Sequence, residues 1–264
     1  MGKKEVSMLR AENISFKVGN KVLLHDTSID FAPGKFHVVM GANGAGKSTL
    51  LKLLAGDQKP SSGKIYFGNK ELHQYSKKEL ATMRAVLSQH YNITFPITAN
   101  EIVLMGRYPY FAASPAHKDL LIRQEAMQLM QVDVFAERDY NTLSGGEAQK
   151  VQMSRVLAQI WNNEKGEEKI LFLDEPVSHL DVKYQYQLLQ TAKNLCHQQT
   201  TVIAVLHDIN LAISFAESIV FMKAGKIVDE VNDLAAISTE MIDDVFDVRS
   251  KIIYPEGHKP VVIF

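Results

Sequence analysis

Apolar residues come in two rhythms along this chain. Over the first 36 residues they alternate with polar ones: Leu9, Ala11 and Phe16 sit among polar neighbours, and Lys21–Phe31 repeats the alternation, which predicts half-buried strands. Phe36–Met40 is a short continuous run of the kind found in strands buried on both faces. A glycine-rich stretch follows, then Thr49–Ala55, a strong helix former stopped by Gly56. A turn at Pro60–Gly63 leads to a strand at Lys64–Phe67 and a Gly68-Asn69 turn. From about Thr98 to Ile160 the period is helical. Ser76/Glu79 and Thr98/Glu101 both have capping-box spacing. Asn162–Lys169 is polar and reads as a surface connection. Strand character returns at Ile170–Leu173 and Thr201–Leu206, with a helix over about Val182–His197 between them. A hairpin at Ser218–Glu230 turning near Gly225, a helix over Thr239–Phe246 and short strands up to Phe264 complete the chain. Strands alternating with helices predict an α/β core, and the helical middle reads as an inserted subdomain.

Two stretches carry chemistry on this frame. Gly41-Ala42-Asn43-Gly44-Ala45-Gly46-Lys47-Ser48 fits G-x-x-x-x-G-K-[S/T] in full, with a strand before it and a helix after it. The glycines let several backbone N–H groups turn toward one anion, and the helix N-terminus adds partial positive charge. Lys47 is expected on the β- and γ-phosphates of a nucleotide and the Ser48 hydroxyl on Mg²⁺. Ile170-Leu171-Phe172-Leu173-Asp174-Glu175 is an apolar strand ending in two carboxylates, delivered to the rim where ligands of parallel sheets bind. Asp174 is expected to hold Mg²⁺ through its water shell, and Glu175 to polarise a water for in-line attack on the γ-phosphate.

Composition narrows the field. The 264 residues are 46% hydrophobic and 22% charged, which excludes a mainly disordered chain. The formal charge of -1 argues against a general nucleic-acid coat. One cysteine, Cys196, leaves no intrachain disulfide and fits a reducing compartment. No apolar run approaches the roughly 20 residues of a membrane span, and the polar start Met1–Glu5 has no signal core, so secretion is not expected. Met1-Gly2 opens a myristoylation pattern, but Val6 stands where Ser or Thr is required. Any membrane role is expected to run through a partner.

Leu143-Ser144-Gly145-Gly146-Glu147 adds a second candidate anion site: Ser144 is a good N-cap, and two glycines free backbone N–H groups ahead of a helix over Ala148–Ile160. Lying between the phosphate loop and the Asp-Glu strand, this segment resembles the signature of ATP-binding cassette (ABC) ATPases. The resemblance covers nearly the whole chain. It implies a single α/β domain with a P-loop NTPase (RecA-like) core. That core and an N-terminal antiparallel β subdomain would occupy 1–90 and 165–264, and a helical signature subdomain 91–164. It implies that Gln89, after the strand Ala85–Ser88, is the Q-loop glutamine near Mg²⁺ and the attacking water. Ser178-His179-Leu180-Asp181 matches the D-loop, and His207 the switch histidine that contacts the γ-phosphate. It further implies that two copies bind head to tail, so that Ser144, Gly145, Gly146 and Glu147 of one chain, together with Asp181, close on ATP held by Gly41–Thr49 of the other. Lys47, Gln89, Glu175 and His207 would carry the hydrolysis.

Secondary motifs narrow the resemblance. Phe95–Pro109 is similar to the segment after the Q-loop in ATPases of hemin, ferric-siderophore and cobalamin importers. Val151–Gln159, the connection Asn162–Lys169 and the ending Lys259–Phe264 are most similar to hemin-import ATP-binding subunits. The implied function is the ATPase of such an importer, most similar to those for hemin, peripheral on the cytoplasmic face of the bacterial inner membrane. Its partners would be a second copy, two permease subunits touched through Gln89 and the segment Phe95–Tyr110, and a substrate-binding protein indirectly. No nucleic acid and no direct binding of hemin are expected. The rival readings are a ferric-siderophore or cobalamin importer, an exporter, a non-transport ABC ATPase of DNA repair or ribosomes, and an assembly protein gated by nucleotide. Four departures from the family pattern stand out. Val18 occupies the place of an adenine-stacking aromatic, with Phe16 two residues earlier either flanking the base or belonging to the core. Ala148 and Lys150 replace Gln and Arg, and Val177 replaces Thr.

Overall fold

The computed structural model describes residues 8–89, 91, 93–161, 168–178 and 180–264. The alternating start folds as β1 (Leu9–Val18) and β2 (Lys21–Phe31), followed by β3 (Phe36–Met40) and α1 (Lys47–Leu54). Then come β4 (Ser62–Phe67), β5 (Lys70–Glu71), α2 (Lys77–Met83) and β6 (Arg84–Leu87). Three helices fill the middle: α3 (Ala99–Met105), α4 (His117–Leu129) and α5 (Gly145–Ile160). After them run β7 (Lys169–Asp174), α6 (Val182–Cys196), β8 (Thr200–Val205), α7 (Ile209–Phe215), β9 (Ser218–Lys223) and β10 (Lys226–Val231). The chain closes with α8 (Thr239–Phe246) and the strand pair β11 (Lys251–Ile253) and β12 (Val261–Ile263).

A six-stranded sheet in the order β10-β9-β3-β8-β7-β6 forms the centre, parallel except for β10 at its edge. Its inner strands are apolar on both faces, as a sheet covered on both sides requires. On β7, Leu171 and Leu173 face the core shared with α3–α6, while Ile170 and Phe172 face the opposite core. On β8, Val202 and Ala204 divide from Ile203 and Val205 in the same way. The second core holds Leu50, Leu51, Leu53 and Leu54 of α1 together with the antiparallel sheet β2-β1-β4-β5. Phe16 is partly buried and packs on that core, while Val18 is 59% exposed.

Both predicted capping boxes form, at Ser76/Glu79 and at Thr98/Glu101. In the helical region α3 comes so close to α5 that a Cβ on Gly106 would lie 2.2 Å from Arg155 O. The fold departs from expectation at Lys169. Its charge suggests a surface connection, yet it opens β7 with 1% exposure, its Nζ near Ile160 O at 3.5 Å. A long aliphatic stem can follow the strand inward while its head finds a carbonyl. Residues 1–7, which carry the predicted polar start, and 162–167 of the predicted connection lie outside the described residues.

Candidate active site

Four neighbouring strands of the central sheet end on one edge, and each carries a predicted group there. In sheet order, β3 runs into Gly41–Ser48, β8 ends before His207, β7 ends in Asp174 and Glu175, and β6 ends before Gln89. Parallel strands bring their C-terminal ends to one rim, so residues more than a hundred positions apart meet.

The phosphate loop is folded tightly. A Cβ on Gly41 would fall 2.1 Å from Met222 O, so only glycine fits where the loop passes under β9. Gly46 is the N-cap of α1, in the left-handed region, and supplies no side-chain acceptor to the helix. The first amides of α1 therefore face an incoming anion uncovered by a cap. Lys47, only 5% exposed, donates from Nζ to Gly41 O at 2.8 Å and Ala42 O at 3.0 Å. Burial lowers its pKa from the ordinary lysine value, opposed by the charges of Glu175 and Asp174. Ser48 donates to Asp174 Oδ1 at 3.0 Å. Burial raises the Asp174 pKa, and Glu175 adds to the rise, while the Ser48 hydrogen bond and Lys52 and Lys47 oppose it.

Glu175 has a left-handed backbone, φ 51°, a conformation that costs a non-glycine residue about 1–3 kcal/mol. Its carboxylate is held at both oxygens: Gln89 Nε2 donates to Oε2 at 2.6 Å, and His207 Nε2 lies 2.7 Å from Oε1. Asp208, next in the chain to His207, fixes the start of α7 by accepting from Asn210 N at 2.7 Å and Leu211 N at 3.1 Å. A cleft of about 430 Å³ opens over Asn43, Gly44, Gly46, Lys47, Ser48, Thr49 and Glu175. Its outer wall is Lys21, Val22 and Leu23 of β2 and the turn Ala224-Gly225, where Gly225 N donates to Ala45 O at 3.0 Å. That outer wall was not read from the sequence. The one available signal was the glycine of the β9–β10 turn, which marks a turn without saying what it touches.

The signature residues stand elsewhere. Ser144, Gly145, Gly146 and Glu147 are not among the residues lining this cleft in their own chain. Helix α5 begins at Gly145, three residues before the predicted start, because Ser144 caps it directly. Ser144 Oγ accepts from Glu147 N at 3.3 Å, and the Glu147 carboxylate accepts from Ser144 N at 2.8 Å. The Ser144 N–H holds the Glu147 pKa down, helped by the Ser144 side chain. Likewise α1 starts at Lys47, so Lys47 and Ser48 belong to its first turn. Asp181 caps α6, accepting from Tyr184 N at 3.1 Å; His179 of the D-loop lies outside the described residues.

Sequence reasoning missed the grip of α5 on its surroundings. Arg155 donates to Tyr91 OH at 2.9 Å and to Gln152 Oε1 at 2.8 Å, and Gln152 donates to Tyr140 OH at 3.0 Å. Tyr91 OH in turn accepts from Ser88 N at 2.6 Å, beside Gln89. Gln149 donates to Pro176 O at 3.0 Å, and Lys150 Nζ stands 4.0 Å over the Tyr184 ring. Lysine in place of arginine at 150 thus finds a cation–π partner.

A P-loop with a buried lysine, a carboxylate pair at the end of β7, and a glutamine and a histidine on the second carboxylate define an ATPase of the cassette type. The ABC transporter family matches residues 24–178, and the chain belongs to it. Among curated proteins, the hemin import ATP-binding protein HmuV of Agrobacterium fabrum is 40% identical over 97% of this chain and 98% of its own length. The protein of the same name from Gloeobacter violaceus is 40% identical over 97% of this chain and 94% of its own. Among solved structures, a metal-chelate type ABC transporter in an inward-facing conformation superposes with a TM-score of 0.80 at 25% identity, covering 98% of this chain and 97% of that one. A dimeric ATP-binding cassette in a post-hydrolysis state with ADP and Pi superposes with a TM-score of 0.74 at 28% identity, covering 85% of this chain and 98% of that one. The expected fold and family are borne out: this is an ATP-hydrolysing subunit of the ABC transporter type. No helix among the described residues is long and apolar enough to cross a membrane.

Proposed function

We propose that this chain drives the import of hemin, working as a pair of identical subunits beneath two permease subunits on the cytoplasmic face of the bacterial inner membrane. The observation that carries the chemistry is the double hold on Glu175 by Gln89 and His207 at the mouth of the P-loop cleft. The hemin assignment is supported by relatives named for hemin import at 37–40% identity over nearly the full chain.

In this reading Lys47 leaves the Gly41 and Ala42 carbonyls for the β- and γ-phosphates of ATP, and Asn43–Thr49 surround the phosphates with backbone N–H groups. Glu175 accepts the proton of a water aligned for attack on the γ-phosphate. His207 turns from Glu175 to the γ-phosphate, and Gln89 holds the water and senses the permease. The Ser48 hydroxyl and the Asp174 carboxylate are adjacent hard oxygen donors, and Asp174 is a buried carboxylate at the mouth of the phosphate loop. Both features fit Mg²⁺, which favours one or two carboxylates plus substrate phosphates. Ser48 and Asp174, with Gln89, would hold it, and when bound it neutralises charge on the β- and γ-phosphates.

Ser144–Glu147 and Asp181 would complete the nucleotide site of the second copy. Gln89 and the segment 95–110 would carry the permease contact. Within it Phe95 is 56% and Tyr108 55% exposed, whereas Tyr110 lies over Arg107 and donates to Gln159 O at 2.7 Å. A substrate-binding protein would act through the permease, and hemin itself would not touch this chain.

Gentle-detergent capture of the chain from its native membranes tests the proposal. A polytopic permease in stoichiometric amount, whose proteoliposomes take up hemin with ATP, is the expected result. Uptake of another chelate with hemin refused would overturn the cargo. Ribosomes, DNA or a soluble protein in place of a permease would overturn transport.

A further inference from the structure

We propose that Gln149 is a positioning residue for Glu175, tying the base of a chain's own nucleotide site to the helix that starts at its signature segment. The inference rests on the reading of Glu175 as the base that activates water. Gln149 is 7% exposed, and its side-chain amide donates to Pro176 O at 3.0 Å in the interior. Pro176 follows Glu175 directly. Proline has no N–H, so its carbonyl is the backbone polar group through which that residue can be held from outside. The hold matters because Glu175 sits in the left-handed region at φ 51°, and such a backbone persists only where its surroundings fix it.

The same loop is gripped from α6: Gln185 donates to Leu180 O at its far end at 2.9 Å and to Val177 O, beside Pro176, at 3.4 Å. The two helices are joined in turn by Lys150, whose Nζ lies over the Tyr184 ring. Pro176, Val177 and Leu180 are thus held between α5 and α6, and α5 reaches the residue next to Glu175. On its other side, α5 holds Tyr91 through Arg155.

Gln149 stands five residues beyond the cap Ser144, about 7.5 Å along the helix axis at the ordinary rise. When Ser144–Glu147 close on the nucleotide of the second copy, a shift of α5 reaches Pro176 through this one amide. The hold on Glu175 in one site then depends on how the signature segment of the same chain is engaged at the other.

The test compares steady-state hydrolysis and nucleotide binding by the full chain carrying Gln149→Met, which keeps the volume and removes the donor. The control is Gln159→Met, which removes the α5 donor to Ala81 O and Arg84 O. For Gln149→Met, kcat is expected to fall about tenfold or more, because small misplacements of reacting groups cost rate steeply. Nucleotide affinity is expected to stay within about twofold, while Gln159→Met keeps kcat within about twofold. A kcat for Gln149→Met close to that of the parent overturns the proposal, as does a joint fall of kcat and affinity in both variants. Should Gln149→Met not fold, Gln149→Asn, which withdraws the amide by one methylene, carries the same expectation. Glu175→Gln measured alongside separates the two claims: if it still hydrolyses at most of the parent rate, the assignment of the base fails, whatever Gln149 does.

Discussion

Two helices of this chain begin at glycine-rich segments, and they are finished in opposite ways. At α1 the cap is Gly46, which offers the helix no side-chain acceptor, and the nearest cation, Lys47, folds back onto carbonyls of its own loop. At α5 the cap is Ser144, and a complete capping box with Glu147 satisfies two donors from within. The first helix start is left open for a strongly charged guest held within the chain. The second is capped from within its own chain.

The comparison can be broken at several points. The largest expected effect is at the open site: Glu175→Gln keeps ATP binding and lowers the hydrolysis rate by roughly 10²–10⁴-fold, the range for losing a general base. Single-turnover hydrolysis beside equilibrium nucleotide binding checks it, and retention of most of the rate would remove Glu175 from that role. Next is the scaffold beneath the self-capped helix. Arg107, buried with Asp119, bonds Asp119 Oδ1 at 3.0 Å and Ala158 O of α5 at 2.8 Å. Arg107→Ala is expected to destabilise the fold by about 3–5 kcal/mol by leaving a buried carboxylate unpaired. Denaturant unfolding measures this, and a change under 1 kcal/mol would show the pair to be dispensable.

Lys47→Ala is expected to weaken ATP binding roughly 10- to 100-fold, the scale of losing a hydrogen bond to a charged group. Unchanged affinity in isothermal titration would contradict the phosphate cradle. Ser144→Ala removes a cap worth about 1 kcal/mol, so a modest fall in Tm is expected with nucleotide affinity of the isolated chain unchanged. A loss of affinity there would place the signature segment at its own chain's cleft.

The smallest effect concerns pH. His37 is buried between Ser218 Oγ at 2.6 Å and Ala32 O at 3.0 Å, and burial lowers its pKa below the reference 6.5. The unfolded chain therefore takes up a proton first as pH falls. The stability held by neutral His37 is complete above pH 6.5 and declines below it toward the lower folded value. Unfolding free energies between pH 5 and 8 should show that slope in the parent and lose it in His37→Gln.

Much of the molecule was legible beforehand because it is local. Phe36–Met40 reads as a doubly buried strand because a short run apolar at every position but His37 suits a strand covered on both faces, and the P-loop reads as an anion cradle because its backbone needs nothing distant. Thr98 and Glu101 announce their helix because both partners lie within one turn. What failed to read has the opposite character. Lys169 looks like a surface residue until β7 carries it inside.

By itself the sequence determined the strands, the caps, the phosphate loop and the family, since each depends on residues a few positions apart or on an ordered set of motifs. Tertiary structure alone decided which distant groups meet. Gln89 and His207 reach Glu175 because β6, β7 and β8 are neighbours in a parallel sheet, and Gln149 reaches Pro176 because α5 packs beside the end of β7. Hydrogen bonds and ion pairs act over about 3 Å, and no periodicity along a chain encodes a distance that short between residues so far apart.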